Sequence, residues 1–505
     1  MTRTGFRLLV TWASLGLASL MLAACARVPV VSASATGRSA IEERLLRDIT
    51  ILASDDFGGR KPGTPGEDKA LGYLEQRMAE AGLVSGTGDP GSYWRMPVDL
   101  VATRPLTGSL TLTVGRKSVV LPAADAQVFT PRRRALATSG PGTGVPVVFV
   151  GYGDGSVLGD AMAGAVAVML ADPGRDIARR EALFRQRATA VVTVLPDTAA
   201  LTALTVREAR EKLQLASEEH DTLSAYVTDS AIAGVIGPRR WAVLKDDAQE
   251  PEFAPLELKL AVSIEASAER HEFASYNLVG RIVGSQPDSG AVLLLAHWDH
   301  LGECRPDDPA ERICNGAADN ASGLAAMLEL AQRLKAGGPL RRDIYVLATT
   351  AEEGGLLGAR AFVKGPPLPL SSIVAAFNFD MVAVAPTGSP VGFIGRGQTP
   401  LDGVILDFVA QTGRTVGEQD LADSFVQRQD GWALLQAGVP TVLLSSSYGS
   451  QVVLHPFLDS RYHRPQDKVE GIELGGAVDD LLLHEGLIRL LADPARYQPP
   501  AAAAP

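Results

Sequence analysis

Apolar residues in the C-terminal half of the chain fall into continuous runs of strand length. Four of these runs, AVLLLA, DIYVLATT, IVAAFNF and VPTVLL, are separated by stretches in which apolar residues recur at helical spacing. Strands that are apolar along their whole length are buried on both faces, as in a parallel sheet covered by helices on both sides. The pattern therefore predicts an α/β fold with a mainly parallel central sheet flanked by helices.

Three stretches show the spacing of amphipathic helices. The first begins in IEERLLRDITILAS, the second follows a Gly/Pro-rich loop and ends before Gly82, and the third precedes DIYVLATT. The apolar faces of the second and third helices are Ala70, Leu74, Met78 and Ala81, and Leu324, Met327, Leu328, Ala331 and Leu334. Met327 therefore belongs to the core and is not a ligand.

Residues 106–265 have a different pattern of apolar and turn-forming residues. Short strand-like pieces such as GSLTLTV, AVAVML and AVVTVL alternate with turn signals, and no paired His or Asp motif occurs among them. This pattern predicts a separate β-rich domain inserted into the α/β fold. The succession VVFVGYG, GDAMAGAVAVMLADPG and RATAVVTVLPD resembles a protease-associated (PA) domain, and an unrelated β-rich insertion is the alternative.

The first residues have the pattern of an export signal. Arg3 and Arg7 precede the apolar run LLVTWASLGLASLML, which ends in LAAC. The run is shorter than a transmembrane helix normally is, although an uncleaved helix that anchors the protein in the membrane is the alternative. LAAC resembles the bacterial lipoprotein box, which implies that residues 1–24 are removed and that Cys25 is acylated. The protein would then be exported and anchored at the cell envelope by lipid, and Ala26 favours the periplasmic side of the outer membrane.

These patterns divide the chain of 505 residues into six segments. With 46% hydrophobic residues, the chain is long enough for more than one core. The segments are a signal peptide (1–24), a tether (25–40), the first part of the α/β domain (41–105), the inserted domain (106–265), the second part of the α/β domain (266–492) and a disordered tail (493–505).

The charge balance argues against nucleic acid as a partner. The sequence has 47 basic and 58 acidic residues, a net charge of −11, and removal of residues 1–24 takes away two Arg and no acid, which leaves −13. There is no basic stripe with interleaved aromatic residues. The sequence does not indicate an oligomeric state.

Two cysteines remain once Cys25 is assigned to lipid. Cys304 and Cys314 enclose nine residues in a chain that is expected to be exported, which predicts a disulfide that closes a small loop. Metal ligation is the alternative, but two thiols without a CxxC spacing make a poor zinc site.

Acidic and imidazole side chains follow the apolar runs at the points where each predicted strand ends. Carboxylates together with imidazoles suit zinc, and two ions need about one bridging ligand plus two ligands from each side. Two His, two Asp and one Glu provide that number and leave one Glu for proton chemistry. The residues concerned are His297 and Asp299, Asp319, Glu352 and Glu353, Asp380, and His463.

The adjacent pair Glu352 and Glu353 is informative because neighbouring side chains near a strand end point in different directions. One can bind a metal while the other faces a water whose pKa falls to roughly 7 on zinc. A carboxylate beside that water can accept its proton and pass it to the leaving amine, a contribution of about 10² to 10⁴ in rate. Asp299 is placed to accept the second ring N–H of His297.

The motifs AHWDHLG, NGAADNASG, TTAEEGGLLGA, FNFDMV and YHRPQDK occur in this order. Together they resemble the co-catalytic zinc aminopeptidases of the aminopeptidase Y and aminopeptidase S type. LASDDFGGRKPGTPGEDKA resembles the N-terminal signature of the same family. The resemblance covers about 40–105 and 266–490, with the PA-like domain between them. It implies a zinc exopeptidase fold, two Zn²⁺ per chain and peptide substrates.

The resemblance also implies a role for each polar residue of the motifs. His297 and Asp380 would bind one metal and Glu353 and His463 the other, while Asp319 would bridge them, Glu352 would be the base, Asp299 would orient His297, and Tyr462 would steady the oxyanion.

The chain departs from the family pattern at two places. Ala318 replaces the first Asp of a common GADDN motif. FVQRQDGWALLQAGVP resembles the Arg-Ser-Asp-His stretch of the family, but Gln429 and Gly431 differ. Arg428 and Asp430 remain as candidates for substrate binding.

The resemblance implies a dizinc exopeptidase that removes N-terminal residues. From its position in HWDH, His300 is expected to be a loop residue and not a ligand. Three alternatives stay open: an acyltransferase of the glutaminyl cyclase type that uses one zinc, a carboxypeptidase-like enzyme for acidic C-termini, and a non-catalytic binding protein. Retention of every ligand and of the base argues against the binding protein. The complete bridging set favours two metals and hydrolysis.

Overall fold

The computed structural model describes residues 31–500 except 90, 92, 157–161 and 219–221. The predicted signal peptide and Cys25 lie outside the described residues. Among the residues that are described, no helix is both long and apolar enough to cross a membrane.

The described strands and helices carry the following labels. The strands are β1 (Val84–Ser85), β2 (Arg95–Val114), β3 (Lys117–Val120), β4 (Ala126–Phe129), β5 (Ala135–Ser139), β6 (Val147–Gly151), β7 (Val166–Leu170), β8 (Ala190–Leu195), β9 (Lys212–Leu215), β10 (Ser224–Thr228), β11 (Leu256–Glu257), β12 (Ala261–Ile282), β13 (Ala291–His297), β14 (Asp343–Thr349), β15 (Ile373–Asn378), β16 (Gly392–Ile394) and β17 (Thr441–Ser445). The helices are α1 (Ala35–Leu52), α2 (Pro65–Glu80), α3 (Asp176–Arg185), α4 (Thr198–Glu208), α5 (Asp229–Ile236), α6 (Pro238–Asp247), α7 (Gly323–Ala336), α8 (Leu357–Lys364), α9 (Asp402–Gln411), α10 (Gln419–Asp423), α11 (Gly431–Gln436), α12 (Gln451–Ser460) and α13 (Gly475–Leu491).

The central sheet has the strand order β16-β17-β15-β13-β14-β12-β2-β3. Its middle strands β14, β13, β15 and β17 are parallel, whereas β12 and β2 are antiparallel to their neighbours. All residues of these four parallel strands are buried. The prediction of an α/β fold with a mainly parallel sheet is therefore confirmed.

Alternate residues of β13 enter two different cores. Val292, Leu294 and Ala296 pack with α1, α2, α7 and α13, while Leu293 and Leu295 pack with α8 and α11 on the opposite face. Because successive side chains of a strand point to opposite faces, the continuous apolar run predicted this double covering. The apolar faces predicted for α2 and α7 are buried as well.

The insert has its own sheet, in the order β11-β6-β7-β8-β10-β4, and its own apolar core. Strands β6, β7, β8 and β10 are parallel, and α3 to α6 accompany them, so the insert contains more helix than a β-rich domain was expected to have. The predicted boundaries at 105/106 and 265/266 fall inside β2 and β12. These two strands form one continuous ribbon that runs from the central sheet into the insert.

Both ends of the described chain are more ordered than the sequence suggested. Helix α1 begins at Ala35, within the predicted tether 25–40, because the Ser34 side chain caps it by accepting a hydrogen bond from the Gly37 N–H. Within the predicted tail 493–505, the chain is held against the α/β domain at Tyr497. Tyr497 is 8% exposed, and its carbonyl accepts a hydrogen bond from Arg342.

His484 is a fully buried imidazole in the middle of α13. Its ring packs against Phe377 and Phe379 at centroid distances of 5.5 and 4.7 Å, and its Nδ1 lies 2.7 Å from the Asp480 carbonyl. Burial lowers the pKa of His484 to about 4. The fold therefore holds this imidazole in its neutral form.

We expect His484 to make the protein less stable in acid. The unfolded chain takes up a proton at an ordinary pKa near 6.5 and the folded chain only near 4, so the free energy of unfolding should fall as the pH falls through this interval, by up to about 3 kcal/mol. Urea unfolding at pH 7 and at pH 4.5 should show that the free energy of unfolding decreases less in His484→Gln than in the wild type. His271→Gln, at an exposed imidazole, is the control, and an unchanged pH dependence in His484→Gln would contradict the expectation.

Candidate metal centre

The carboxyl ends of the parallel strands bring the candidate ligands together. His297 is the last residue of β13, Asp380 follows β15 by two residues, and the pair Glu352 and Glu353 follows β14. Asp319 lies just before α7, where Asn320 caps the helix by accepting from the Gly323 N–H at 3.0 Å. In a parallel sheet these ends share one edge, which is where such folds place their sites.

The first group of donors surrounds the Nε2 atom of His297. This nitrogen lies 3.3 Å from Oδ1 of Asp319 and 3.5 Å from Oδ1 of Asp380. All three residues are buried, with 1%, 3% and 5% of their surface exposed. Their ligand atoms lie within 4.8 Å of one another, so one cation can contact all three.

The second group lies on the other side of Asp319. Nε2 of His463 is 3.3 Å from Oδ2 of Asp319 and 2.9 Å from Oε2 of Glu353. Nδ1 of His300 is 2.7 Å from Oε1 of Glu353, and His300, Asp319 and Glu353 form a second set of potential ligands. The two carboxylate oxygens of Asp319 thus face two different groups of donors.

His300 is a site residue that the sequence interpretation placed in a loop. It is 1% exposed and touches Glu353, while its ring lies 5.9 Å from that of His463. The available signal was its position in HWDH, directly after Asp299. That spacing does not distinguish a ligand from a loop residue, and only the folded loop brings the ring to Glu353.

The residues present fit two cations of the zinc type. Three ligand atoms, His297 Nε2, Asp380 Oδ1 and Glu353 Oε1, are buried and make no hydrogen bond of favourable geometry with another described residue, although imidazole and carboxylate groups lie within ion-pair distance of them. Leaving such atoms unpaired is costly, and buried charges are normally paired or bind a metal. Imidazole nitrogens and carboxylate oxygens are the donors that zinc takes.

Burial and the imidazoles set the charge of the centre. Burial opposes ionisation of Asp319 and Glu353, but the neighbouring imidazoles outweigh it, so the pKa of Asp319 lies well below its ordinary value and that of Glu353 is about 2. Burial also lowers the pKa of His463, yet Asp319 and Glu353 raise it to about 10. Burial raises the pKa of Glu352 well above its ordinary value, although the charge of His297 acts in the opposite direction.

Asp299 supports the site in a different way from the one predicted. Nδ1 of His297 lies 3.1 Å from the carbonyl oxygen of Asp299 and 3.8 Å from its Oδ1, so the carbonyl is the atom at hydrogen-bond distance. The carboxylate instead accepts the backbone N–H groups of Glu352 at 3.0 Å and Glu353 at 3.4 Å. Asp299 therefore orients the glutamate pair as well as the imidazole.

Two openings lead to the centre. A small cavity is bounded by Asp319, Glu352 and Asp380 on one side, and its other walls are Met381, Phe425, Arg428, Gln429, Tyr448 and Tyr462. A wider cleft, which we call the catalytic cleft, has a volume of about 760 Å³ and reaches His300, Glu353 and His463 from the side of the insert.

The substrate candidates occupy different positions. Tyr462 lines the small cavity and stacks on His463 with 3.7 Å between ring centroids. The Arg428 guanidinium lines it too and lies over Phe425 at 4.8 Å. Asp430 is 1% exposed and accepts a hydrogen bond from Thr349, and its role in substrate binding stays a prediction.

Arg60 lies beneath the centre and was not singled out from the sequence. It is completely buried, and its guanidinium donates to the carbonyls of Trp298 at 2.8 Å, Asn315 at 2.7 Å and Gly316 at 3.0 Å, and to Leu52 at 2.7 Å. The first three of these carbonyls belong to the segments that carry His297 and Asp319, and the carbonyl of Leu52 lies at the end of α1. Burial lowers the pKa of Arg60 to about 10, so it stays charged at neutral pH.

Asp467 is a second supporting residue that the sequence interpretation missed. Its carboxylate accepts the N–H groups of Ala318 and Asp319 at 3.0 Å each, and it pairs with Arg461 at 3.3 Å. It therefore ties Asp319 to the loop that carries His463. The signal was an acid inside YHRPQDK, which gives no indication of its partner.

The predicted disulfide is present between Cys304 and Cys314, with 5.7 Å between the Cα atoms. It closes the loop that separates His297 from Asp319. Gly302 pairs with Cys314 at the base of this loop.

Comparison with known proteins confirms the resemblance to aminopeptidases, whereas the PA-like interpretation of residues 106–265 stays a prediction. Residues 277–479 match the sequence profile of Peptidase family M28. The chain is 27% identical to Leucine aminopeptidase 1 of Penicillium rubens over 237 residues, 43% of this chain and 56% of that protein. It is 28% identical over 236 residues to Probable lipoprotein aminopeptidase LpqL of Mycobacterium tuberculosis, 42% of this chain and 44% of that protein.

A solved structure shares the fold. The aminopeptidase from Aneurinibacillus sp. strain AM-1 superposes with a TM-score of 0.53 at 18% identity, over 90% of this chain and 94% of that one. The sequence matches are shorter, since the chain spans about half the length of the two relatives. The match to the family profile covers the part of the chain that carries every candidate ligand.

We predict that Arg60 sets the affinity for zinc. Arg60→Met removes the charge and all four donated hydrogen bonds, so the affinity should fall by about 10- to 100-fold, as when partners of metal ligands are lost, and Arg60→Lys should lose less. Competition for zinc with a chromophoric chelator, after the protein has been stripped of metal, measures this effect. Arg104→Met, at an exposed ion pair with Glu269, is the control. Wild-type affinity in Arg60→Met with near-UV circular dichroism intact would contradict the prediction.

Proposed function

We propose that the chain is a two-zinc exopeptidase of the aminopeptidase type, which removes N-terminal residues from peptides. The observation that carries this proposal is the position of Asp319. Its two carboxylate oxygens lie 3.3 Å from His297 and 3.3 Å from His463, which belong to two separate groups of donors. His297 and Asp380 would hold one ion, Glu353 and His463 the other, with His300 beside the second.

Zinc, when bound, lowers the pKa of coordinated water to about 7 and polarises a carbonyl oxygen. Glu352 is the residue that handles the proton. It lines the small cavity with Asp319 and Asp380, and unlike Glu353 it has no imidazole within ion-pair distance in the described structure. It would take the proton from the attacking water and deliver it to the leaving amine.

Tyr462 and Asp299 complete the proposed machinery. Tyr462 faces the same small cavity, so its hydroxyl can donate to the oxyanion that develops on the substrate carbonyl. Asp299 holds the backbone of Glu352 and Glu353 through their N–H groups. This contact fixes the base relative to the neighbouring ligand.

The charges and the apolar walls beside Glu352 support exopeptidase action at an N-terminus. The small cavity has a volume of about 10 Å³ in this structure, and Met381, Phe425 and Tyr448 form its apolar walls. Glu352 and Asp380 border it and would attract a free ammonium group. The catalytic cleft on the other side has room for the rest of the peptide.

We also propose that the protein is exported and held at the envelope by lipid on Cys25. The LAAC sequence supports this proposal. So does the similarity to a protein whose name describes a lipoprotein aminopeptidase.

The test is a comparison of Glu352→Gln with the wild type on aminoacyl-nitroanilides. Glutamine keeps the shape of the side chain but accepts no proton, so turnover should fall by about 10² to 10⁴ while zinc content per chain, measured by elemental analysis, is unchanged. Native turnover in this variant would remove Glu352 from the role of base. Asp423→Asn, at an exposed acid on α10, is the matched control.

The substrate panel decides the reaction type. Free aminoacyl substrates should be cleaved, and the same compounds with a blocked N-terminus should not. Cleavage of N-blocked peptides with acidic C-termini alone would indicate a carboxypeptidase-like enzyme, and ring closure of N-terminal glutamine would indicate a cyclase. Either result would contradict the aminopeptidase proposal.

A further inference from the structure

The insert contains a cavity of about 230 Å³ that opens beside the catalytic cleft. We call it the insert cavity and define it by Phe129, Arg180, Lys212, Gln214, Ser224 and Tyr226, which are among its lining residues. Lys212 and Gln214 also line the catalytic cleft. The two spaces are therefore neighbours along β9, and the cleft also reaches His300, Glu353 and His463 of the metal centre.

Strand β9 connects the insert cavity to the catalytic residues. Leu213 and Leu215 point away from the cavity into an apolar cluster with Ala351 and Leu357, which flank the glutamate pair. Lys212 and Gln214 alternate with these leucines and face the cavity. Because β9 packs against the loop that follows β14, its position relative to the metal centre is fixed.

Ion pairs hold the two ends of this segment on the α/β domain. Before β9, Glu211 pairs with Lys61 at 2.6 Å. After β9, Glu218 pairs with Arg360 and Lys364 on α8. In the described chain β9 pairs with β2 alone, so its other edge is free. An extended peptide can align along such an edge through backbone hydrogen bonds.

One arginine side chain of the insert cavity, that of Arg180, has no acidic partner among the described residues. The Arg180 guanidinium lies over the Tyr226 ring at 5.6 Å and makes no ion pair with any described residue. The two acids of the cavity are already paired, Glu208 with Lys212 and Glu181 with an arginine of the same helix at 3.8 Å. Arg180 is thus the group that remains available for an anion.

Polar atoms around Arg180 also lack partners. The Tyr226 residue is 2% exposed, and neither its hydroxyl nor that of Ser224 makes a hydrogen bond with another described residue. The Gln214 Oε1 atom is buried and accepts no hydrogen bond. A buried acceptor without a donor is unfavourable, so a ligand that brings an N–H to Gln214 and an anion to Arg180 would satisfy both.

We propose that the insert cavity binds the free C-terminal carboxylate of a peptide whose N-terminal residue occupies the metal centre. The carboxylate pairs with Arg180, whose planar fork matches it, and accepts from the two hydroxyls, while a peptide N–H donates to Gln214. Phe129 and Tyr226, 6.0 Å apart between centroids, provide an aromatic wall for the last side chain. This inference rests on the proposed function and adds a preference for short peptides with a free C-terminus.

The test compares peptides that begin with Leu and continue with one to six Ala, each as free acid and as C-terminal amide. The readout is the ratio of kcat/KM for acid and amide at each length. For the wild type we expect a ratio of about tenfold, equivalent to about 1.4 kcal/mol, at the length that spans the two sites. Arg180→Gln should bring the ratio to about one, and Arg180→Lys should keep part of it.

Arg239→Gln on α6, which removes an exposed charge from the same insert, should keep the wild-type ratio. A ratio near one at every length in the wild type would overturn the proposal, as would an unchanged ratio in Arg180→Gln. A further arm uses an amide that ends in Glu. If this amide is cleaved as well as the acid, a side-chain carboxylate is the ligand and the C-terminal assignment is wrong.

Failure of the proposed function gives a different result. If the wild type cleaves none of these peptides, their binding to the intact protein is measured by calorimetry. Tighter binding of acids than of amides, lost in Arg180→Gln, would support the insert cavity as a carboxylate site. Equal binding of both forms would overturn it.

Discussion

The charge on Asp319 is the constraint on which the rest of the site depends. A carboxylate that is 3% exposed is stable only if cations or strong donors surround it. Here His297 and His463 approach its two oxygens from opposite sides, and Asp467 accepts the N–H groups of the same turn. Much of the surrounding structure serves to keep this carboxylate and its neighbours in place.

Arg60 illustrates how the N-terminal part contributes to this arrangement. It comes from a loop before α2, far away in sequence, yet its guanidinium links two ligand loops through their carbonyls. The insert contributes from the other side, where β9 packs next to the loop of Glu352 and Glu353. The ribbon of β2 and β12 joins the two units, with one register shift between Ser267 and Ala268.

The sequence predicted the parts of the molecule that follow from periodicity and from strand ends. Continuous apolar runs indicated the parallel strands, and polar residues after them indicated the edge where His297, Glu353 and Asp380 meet. Contacts between distant loops were beyond such reasoning, because HWDH does not show that His300 reaches Glu353 and YHRPQDK does not show that Asp467 reaches Asp319. The carboxylate of Asp299 likewise contacts backbone N–H groups, which no side-chain pattern records. The helices of the insert were missed because short strand-like runs are the most prominent pattern in its sequence.

The central claim is that one buried carboxylate is shared by two metal ions. Titration of metal-stripped protein with zinc, followed by calorimetry and by elemental analysis after dialysis, tests it most directly. We predict two zinc ions per chain in the wild type and the loss of tight binding at both positions in Asp319→Ala. A single zinc in the wild type, or two zinc ions retained by Asp319→Ala, would contradict the account.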